Sequence, residues 1–146
     1  MKEEISTFLQ QISSELNSDI TINENHAWII PASSPALLLT VTWDRGEKES
    51  GYEFTFSLAL GEYRETIPSS LLLELLASNI AMSIMQGPKL CYSPGANLLT
   101  LTDTLACRPG DEVYIGEAAE KMVSLGWNIH ENISTTGTKL IINMDG

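Results

Sequence analysis

The sequence predicts an α+β fold in which three helices pack on an antiparallel sheet of five strands, in the order α-β-β-β-α-β-β-α. Two observations indicate this class. The segments with strand character fall into a group of three and a group of two, with segments of helical character on both sides of each group. The connections inside each group are too short for the crossover helix that parallel strands require.

The length and composition are those of one globular domain, residues 1–146. Apolar residues make up 43% and charged residues 18% of the chain, a balance typical of proteins that bury a core without disulfides or metal ions. Eight Lys and Arg against 19 Asp and Glu give a formal net charge of -11, which repels phosphate backbones and anionic lipid headgroups. Nucleic acid and membranes are therefore not expected as partners. The negative charge serves either to keep the protein soluble or to attract a basic or aggregation-prone partner.

The amino-terminal residues carry no secretory signal. Residues Met1 to Glu4 lead directly into an amphipathic pattern, without a basic region followed by an apolar one. The most apolar stretch, Ala27 to Val41, is interrupted by Pro31 and Pro35, and no run approaches the length of a membrane span. We expect a soluble, cytoplasmic protein.

The first predicted helix runs from about Glu3 to Leu16, with two glutamates in the first turn, where the helix dipole favours acids. Its large apolar residues share one side: Ile5, Phe8, Leu9, Ile12 and Leu16. Three predicted strands follow, at 27–30, 37–43 and 52–60. Because short loops join them, consecutive strands should be antiparallel.

The middle predicted helix lies between Pro68 and Gly87 and is more hydrophobic than contact with a sheet requires. At 100° per residue its apolar side chains spread around most of the circumference, and Glu74 is its only charged residue. Because exposed apolar patches of that size are unusual on monomers, we expect a homodimer. The predicted dimer interface consists of Leu71, Leu72, Leu75, Leu76 and Met82. The alternative is burial under the other two helices of the same chain.

A second hairpin is predicted from strands at 89–92 and 97–105. Asp103 interrupts the apolar and threonine-rich pattern of the longer strand, which indicates either a perturbed carboxylate or a position at a sheet edge. A third helix starts at about residue 111, although Gly116 and Gly126 each weaken its pattern by about 1 kcal/mol. Residues Lys139 to Met144 have the character of a last strand or a tail.

The sequence contains none of the common signatures for phosphate, dinucleotide, hydrolase or zinc-protease chemistry. Cys91 and Cys107 lie in predicted strands of buried character, and together with the distant His26 and His130 they are a poor match for a zinc site. A reactive thiolate needs an electropositive setting, and Lys89 is the only cation near Cys91. We therefore predict no catalytic residue, no metal and no cofactor, and we expect that the protein is not an enzyme.

One part of the chain has a more specific order of features. It comprises a helix end from Asn79, then Gly87-Pro88, Leu90-Cys91-Tyr92, Gly95-Ala96 and the strand Leu98-Leu99-Thr100-Leu101. The short first helix, the turn Asn23-Glu24-Asn25, the acidic charge and the length agree with the same pattern. The chain resembles the class I type III secretion chaperones, in particular the Tir chaperone family, over nearly its whole length.

The resemblance implies a homodimer, with the middle helix at or near the two-fold contact. It implies a cytoplasmic chaperone that binds the amino-terminal segment of one or more secreted effectors without ATP, and keeps that segment extended, soluble and competent for secretion. The partners implied are the effector, a second copy of the chain and the secretion ATPase. The candidate effector-binding residues by position are Ile5, Phe8, Ile12, Trp28 and Leu39, each of which also has core character. Residues 138–144 depart from the family pattern, because many members end after the last helix.

Two other functions remain open. An acidic immunity or binding protein that neutralises a toxin fits the charge, but it does not require the hydrophobic middle helix. A small enzyme with an unrecognised site fits the length. The oligomeric state in solution separates a dimeric chaperone from a monomeric immunity protein.

Overall fold

The computed structural model describes residues 3–35, 37–45, 51–63, 73, 76, 77, 79–81, 87–93, 98–135, 140 and 141. Its helices and strands are α1 (Glu3–Leu16), β1 (Thr21–Ile22), β2 (His26–Ile29), β3 (Leu38–Arg45), β4 (Tyr52–Tyr63), β5 (Lys89–Ser93), β6 (Leu98–Cys107), α2 (Glu112–Thr135) and β7 (Leu140–Ile141). A third helix lies between β4 and β5, and we call it the middle helix. Its described residues 73, 76, 77 and 79–81 are helical, and its ends lie outside the described residues.

The fold is α+β with an antiparallel sheet, as predicted, but the number of strands was wrong. Six strands follow in the order β1-β2-β3-β4-β6-β5, and β7 pairs with β4 beside this path. The additional strands β1 and β7 have two residues each. A segment of two residues cannot display a period-two pattern, so β1 could not be predicted, whereas β7 falls within residues 139–144, for which a last strand or a tail was expected.

Strand β4 is the centre of the sheet and pairs with three strands. It pairs with β3 from Tyr52 to Ala59 on one side and with β6 on the other. A bulge between Ala59 and Gly61 shifts the register, and Gly61 has φ 146°, which glycine adopts without steric cost. Because β6 still pairs with β4 at Glu62, β7 occupies the β3 side beyond the end of β3.

Helices α1 and α2 cover one face of this sheet and form a single core with it. Phe54, Phe56 and Leu58 alternate along β4 with more exposed residues, and the Phe8 ring of α1 lies 5.1 Å from that of Phe54. The opposite face of the sheet carries mainly threonine and serine at the corresponding positions of β3, β4 and β6. The period-two pattern predicted from the sequence is thus the pattern of a sheet with one covered face.

The two glycines that weaken the pattern of α2 lie where the helix approaches its neighbours closely. A Cβ atom on Gly126 would lie 2.3 Å from Leu58 Cδ2, and one on Gly116 would lie 2.7 Å from Glu15 Cγ of α1. Both positions therefore lack space for a larger residue. Glycine lowers the stability of a helix by about 1 kcal/mol, but at these positions it allows α2 to approach the sheet and α1 closely.

Candidate functional site

The exposed side of the middle helix is apolar at every described position. Leu73, Leu76 and Ile80 are 67%, 60% and 64% exposed, and Ala77 and Ala81 are exposed beside them. At 100° per residue these five residues cover roughly 140° of the circumference. We call them the apolar face of the middle helix. Exposed apolar surface arranged in one continuous stripe is typical of a contact with another macromolecule.

Asn79 joins the middle helix to the edge strand β5. Its Oδ1 accepts a hydrogen bond from the Leu90 N–H at 2.6 Å, and its Nδ2 donates one to the Leu90 carbonyl oxygen at 2.9 Å. Both backbone groups of Leu90 therefore point away from β6, and the amide takes the place of a strand partner. This attachment places the side of the helix that carries Asn79 toward β5.

The predicted dimer interface is described at one position only. Leu76 is exposed, as a contact residue of an isolated chain should be, whereas Leu71, Leu72, Leu75 and Met82 lie outside the described residues. Sequence reasoning did not select Leu73 and Ile80, which share the face of Leu76. Their spacing of three and four residues from Leu76 is the signal that could have identified them.

Four of the five candidate effector-binding residues lie in the core. Ile5, Phe8 and Ile12 of α1 and Leu39 of β3 are buried, because they belong to the core that the helices share with the sheet. These side chains are not accessible to a partner in this structure. We therefore exclude these four residues from the proposed contact surface. Each of them also has the sequence character of a core residue.

Trp28 is the one accessible member of that set. Its side chain is 38% exposed, and it lies on the sheet face opposite the helices, since its neighbours Ala27 and Ile29 are buried in the core. Trp28 pairs with Thr21 of β1 on one side and with Thr40 of β3 on the other. An aromatic side chain among short polar residues is a typical anchor for a bound peptide.

Glu4 and Tyr52 connect the start of α1 to the start of β4. The Tyr52 hydroxyl donates a hydrogen bond to Glu4 Oε2. This bond is the main reason that the pKa of Tyr52 is raised above its ordinary value, with burial and the negative charge of Glu4 acting in the same direction. The pair fixes the position of α1 over the sheet and has no feature of a reactive site.

The two cysteines differ in environment. Cys107 at the end of β6 is buried as predicted, and burial, followed by the charge of Asp111, raises its pKa to about 11. Cys91 on β5 is exposed, which corrects the expectation of a buried thiol. At neutral pH the Cys107 thiol is protonated and serves as a small hydrophobic side chain.

Within the described ranges, no three His, Cys, Asp or Glu residues lie close enough together to hold a metal ion. No helix in that part of the chain combines the length and the apolarity needed to cross a membrane. Comparison with protein-family models and with curated proteins finds no match. The resemblance to secretion chaperones therefore depends on the residues quoted for it above.

Proposed function

We propose that this protein is a homodimeric cytoplasmic chaperone that holds the amino-terminal segment of one or more type III secreted effectors in extended, soluble form. The observation on which the proposal depends is the apolar face of the middle helix, with Leu73, Leu76 and Ile80 each more than half exposed. A contact with the secretion ATPase belongs to the same proposal.

A second copy of the chain is the occupant we assign to the apolar face. Full burial of a large aliphatic side chain gains about 1.5 to 3 kcal/mol. The three side chains from each copy would together gain about 6 to 12 kcal/mol, since about two thirds of each is exposed. Association costs about 4 to 15 kcal/mol, so these residues supply most of what a dimer needs. Ala77 and Ala81 beside them permit the two helix axes to approach closely.

The cargo contact is proposed for surfaces outside the core. Trp28 is the exposed aromatic anchor, and the acidic chain suits a segment with an excess of basic residues. Ordering an extended segment costs about 2 to 5 kcal/mol of the interaction energy. Binding of this kind holds the segment and still permits its release to the secretion apparatus.

Co-expression tests the proposal. The amino-terminal segment of a secreted effector, produced with this protein, should be soluble and should elute with it at two chains of the protein per segment. Trp28→Ser should reduce the yield of the complex, and Thr42→Ser, on the same exposed face of the sheet, is the matched control. A segment that is equally soluble without the protein would contradict the proposal.

The net charge of -11 favours one alternative, an acidic immunity protein. That function requires tight binding of a folded basic toxin by a single copy of the chain. A monomer that inhibits such a toxin and does not solubilise an effector segment would establish the alternative in place of the chaperone.

A further inference from the structure

A cleft of about 270 Å³ lies between the end of β6 and helix α2. Its apolar wall includes Leu105, Met122 and Leu125, of which Met122 is buried, and Pro88, directly before β5, lines it as well. Three charged side chains also line it: Asp103 is half-buried, whereas Glu117 and Lys121 are exposed. The cleft therefore combines apolar walls with two carboxylates and one ammonium group.

In the described part of the chain, the end of β6 beside this cleft has no paired strand on the β5 side. Strand β5 begins at Lys89, opposite Thr102, so β6 continues to Cys107 beyond the start of its neighbour. Among the described residues no strand pairs with this end of β6 on the β5 side. An open strand edge presents backbone donors and acceptors to an additional strand.

The direction of these backbone groups follows from the Asn79 bonds. Leu90 turns its N–H and carbonyl groups away from β6, so in the antiparallel pattern its neighbour Lys89 turns its own toward Thr102. By the same alternation Thr104 and Ala106 direct their backbone groups to the open side. The Thr104 N–H is already bonded to Asp103 Oδ1 at 3.0 Å, which leaves the Thr104 carbonyl and both groups of Ala106.

A strand paired with this edge would place alternate side chains over the cleft. Asp103 and Leu105 lie on the helix-covered face of the sheet, because they are in register with Phe56 and Phe54 of the core. Every second residue of an added strand would lie on that same face. The cleft is thus positioned to receive one side chain of a strand that bonds to Ala106.

The charges indicate which side chain fits. Burial raises the pKa of Asp103, and the Thr104 N–H bond acts in the opposite direction. A long aliphatic stem can lie along Leu105, Met122 and Leu125 while its charged end reaches a carboxylate. Lysine and arginine have this combination, and the net charge of the chain attracts segments that carry them.

We propose that the open edge of β6 and the adjoining cleft bind an extended basic segment of a partner protein, with one lysine or arginine side chain inserted beside Asp103 and Glu117. The inference deepens the proposed chaperone function and rests on it for the identity of the partner. It is independent of the apolar face of the middle helix, which lies on another element.

The test uses a short synthetic peptide of alternating lysine and valine, labelled with a fluorophore, and two surface variants one helical turn apart. Glu117→Lys should weaken binding about fivefold and Lys121→Glu should strengthen it by a similar factor, because each reverses one exposed charge beside the cleft. Both differences should shrink as salt screens the charges. Since both residues are exposed, each variant controls for folding of the other.

Two control peptides complete the test. Replacing lysine by norleucine keeps the stem and removes the charge, and N-methylation of the backbone removes the donors that pair with β6. Both changes should reduce binding. Equal binding of the lysine and norleucine peptides, or equal binding to the two charge variants, would overturn the proposal.

An effector segment separates this inference from the chaperone function. If that segment binds the Glu117→Lys and Lys121→Glu variants with equal affinity, the cleft is not the contact, and the chaperone function still holds. If the basic peptide distinguishes the variants as expected and no effector segment binds the native protein, the cleft is confirmed and the chaperone function is wrong.

Discussion

Asn79 and Leu90 are joined by two hydrogen bonds, one from each amide atom of the asparagine to the backbone of the strand residue. This pair has two consequences. It satisfies the edge of β5 in the way a further strand would, and it orients the middle helix so that Leu73, Leu76 and Ile80 are exposed. The proposed dimer surface therefore depends on a polar contact on the other side of the helix.

Replacing Asn79 by alanine should lower the free energy of unfolding by about 1 to 3 kcal/mol, because the N–H and carbonyl groups of the buried Leu90 lose their partner. Urea unfolding measures the change. Asn128→Ala, at an exposed position of α2, is the matched control. Equal stability of the two variants would show that the Asn79 bonds contribute nothing.

Gly126→Ala should lower the free energy of unfolding by about 1 to 3 kcal/mol, since the added Cβ would lie 2.3 Å from Leu58 Cδ2. Helix propensity alone predicts the opposite, a gain of about 1 kcal/mol. Ser124→Ala, at an exposed position two residues away on the opposite side of the helix, should be neutral or slightly stabilising. A Gly126→Ala protein more stable than the native one would contradict the close contact.

In the native protein, Cys91 should react with a thiol reagent at pH 8 and Cys107 should not. Cys91 is exposed, whereas Cys107 is buried with a pKa of about 11, so about one Cys107 thiol in a thousand is ionised at that pH. Absorbance of the released chromophore should give one equivalent for the folded chain and two in denaturant. Cys91→Ser should then show almost no reaction, and fast reaction of both thiols in the native state would contradict the burial of Cys107.

Asp103→Asn should raise the melting temperature at neutral pH and change it little below pH 3.8, the ordinary carboxyl pKa. Burial raises the pKa of Asp103, so its proton is bound more tightly in the folded state. The stability that the bound proton provides is fully present below the pKa of Asp103 in the unfolded chain. It is lost as the pH rises through the higher pKa of Asp103 in the folded protein. Scanning calorimetry at the two pH values measures the difference.

Asp44→Asn is the control for that series. Asp44 Oδ1 also accepts the N–H of the following residue, Arg45, at 2.8 Å, but Asp44 is exposed on β3. At neutral pH the control should change the melting temperature less than Asp103→Asn does, because the Asp44 side chain is already solvated. If Asp103→Asn has the same effect at both, the carboxylate carries no cost of burial.

The helices and the long strands were predictable because their patterns are local. The spacing of Ile5, Phe8 and Ile12 is that of a helix with one buried side, and Phe54 and Phe56 alternate as a strand requires. The spacing of apolar residues in a sequence cannot distinguish a buried core from an exposed apolar groove, since both need the same residues at the same spacing. For that reason Phe8 was a candidate contact residue and is a core residue.

The cleft beside β6 could not be predicted, because it depends on where one strand starts relative to another. Asp103 stood out in the sequence as an interruption of its strand, and an edge position was one of the two explanations offered for it. Both explanations agree with the structure: in the described residues β5 starts at Lys89 and no strand residue pairs with Asp103 on that side, and burial raises the pKa of Asp103. Register between strands that are distant in sequence is set by tertiary packing and not by composition.

Sedimentation equilibrium over a range of concentrations tests the central claim, that two copies share the apolar face of the middle helix. We expect a dimer at micromolar concentration that dissociates on dilution, and a monomer for Leu76→Asp. Val113→Asp, an equally apolar and similarly exposed position on α2, should remain dimeric. A native protein that is monomeric across the whole range, or a Leu76→Asp variant that is as dimeric as Val113→Asp, would contradict the claim.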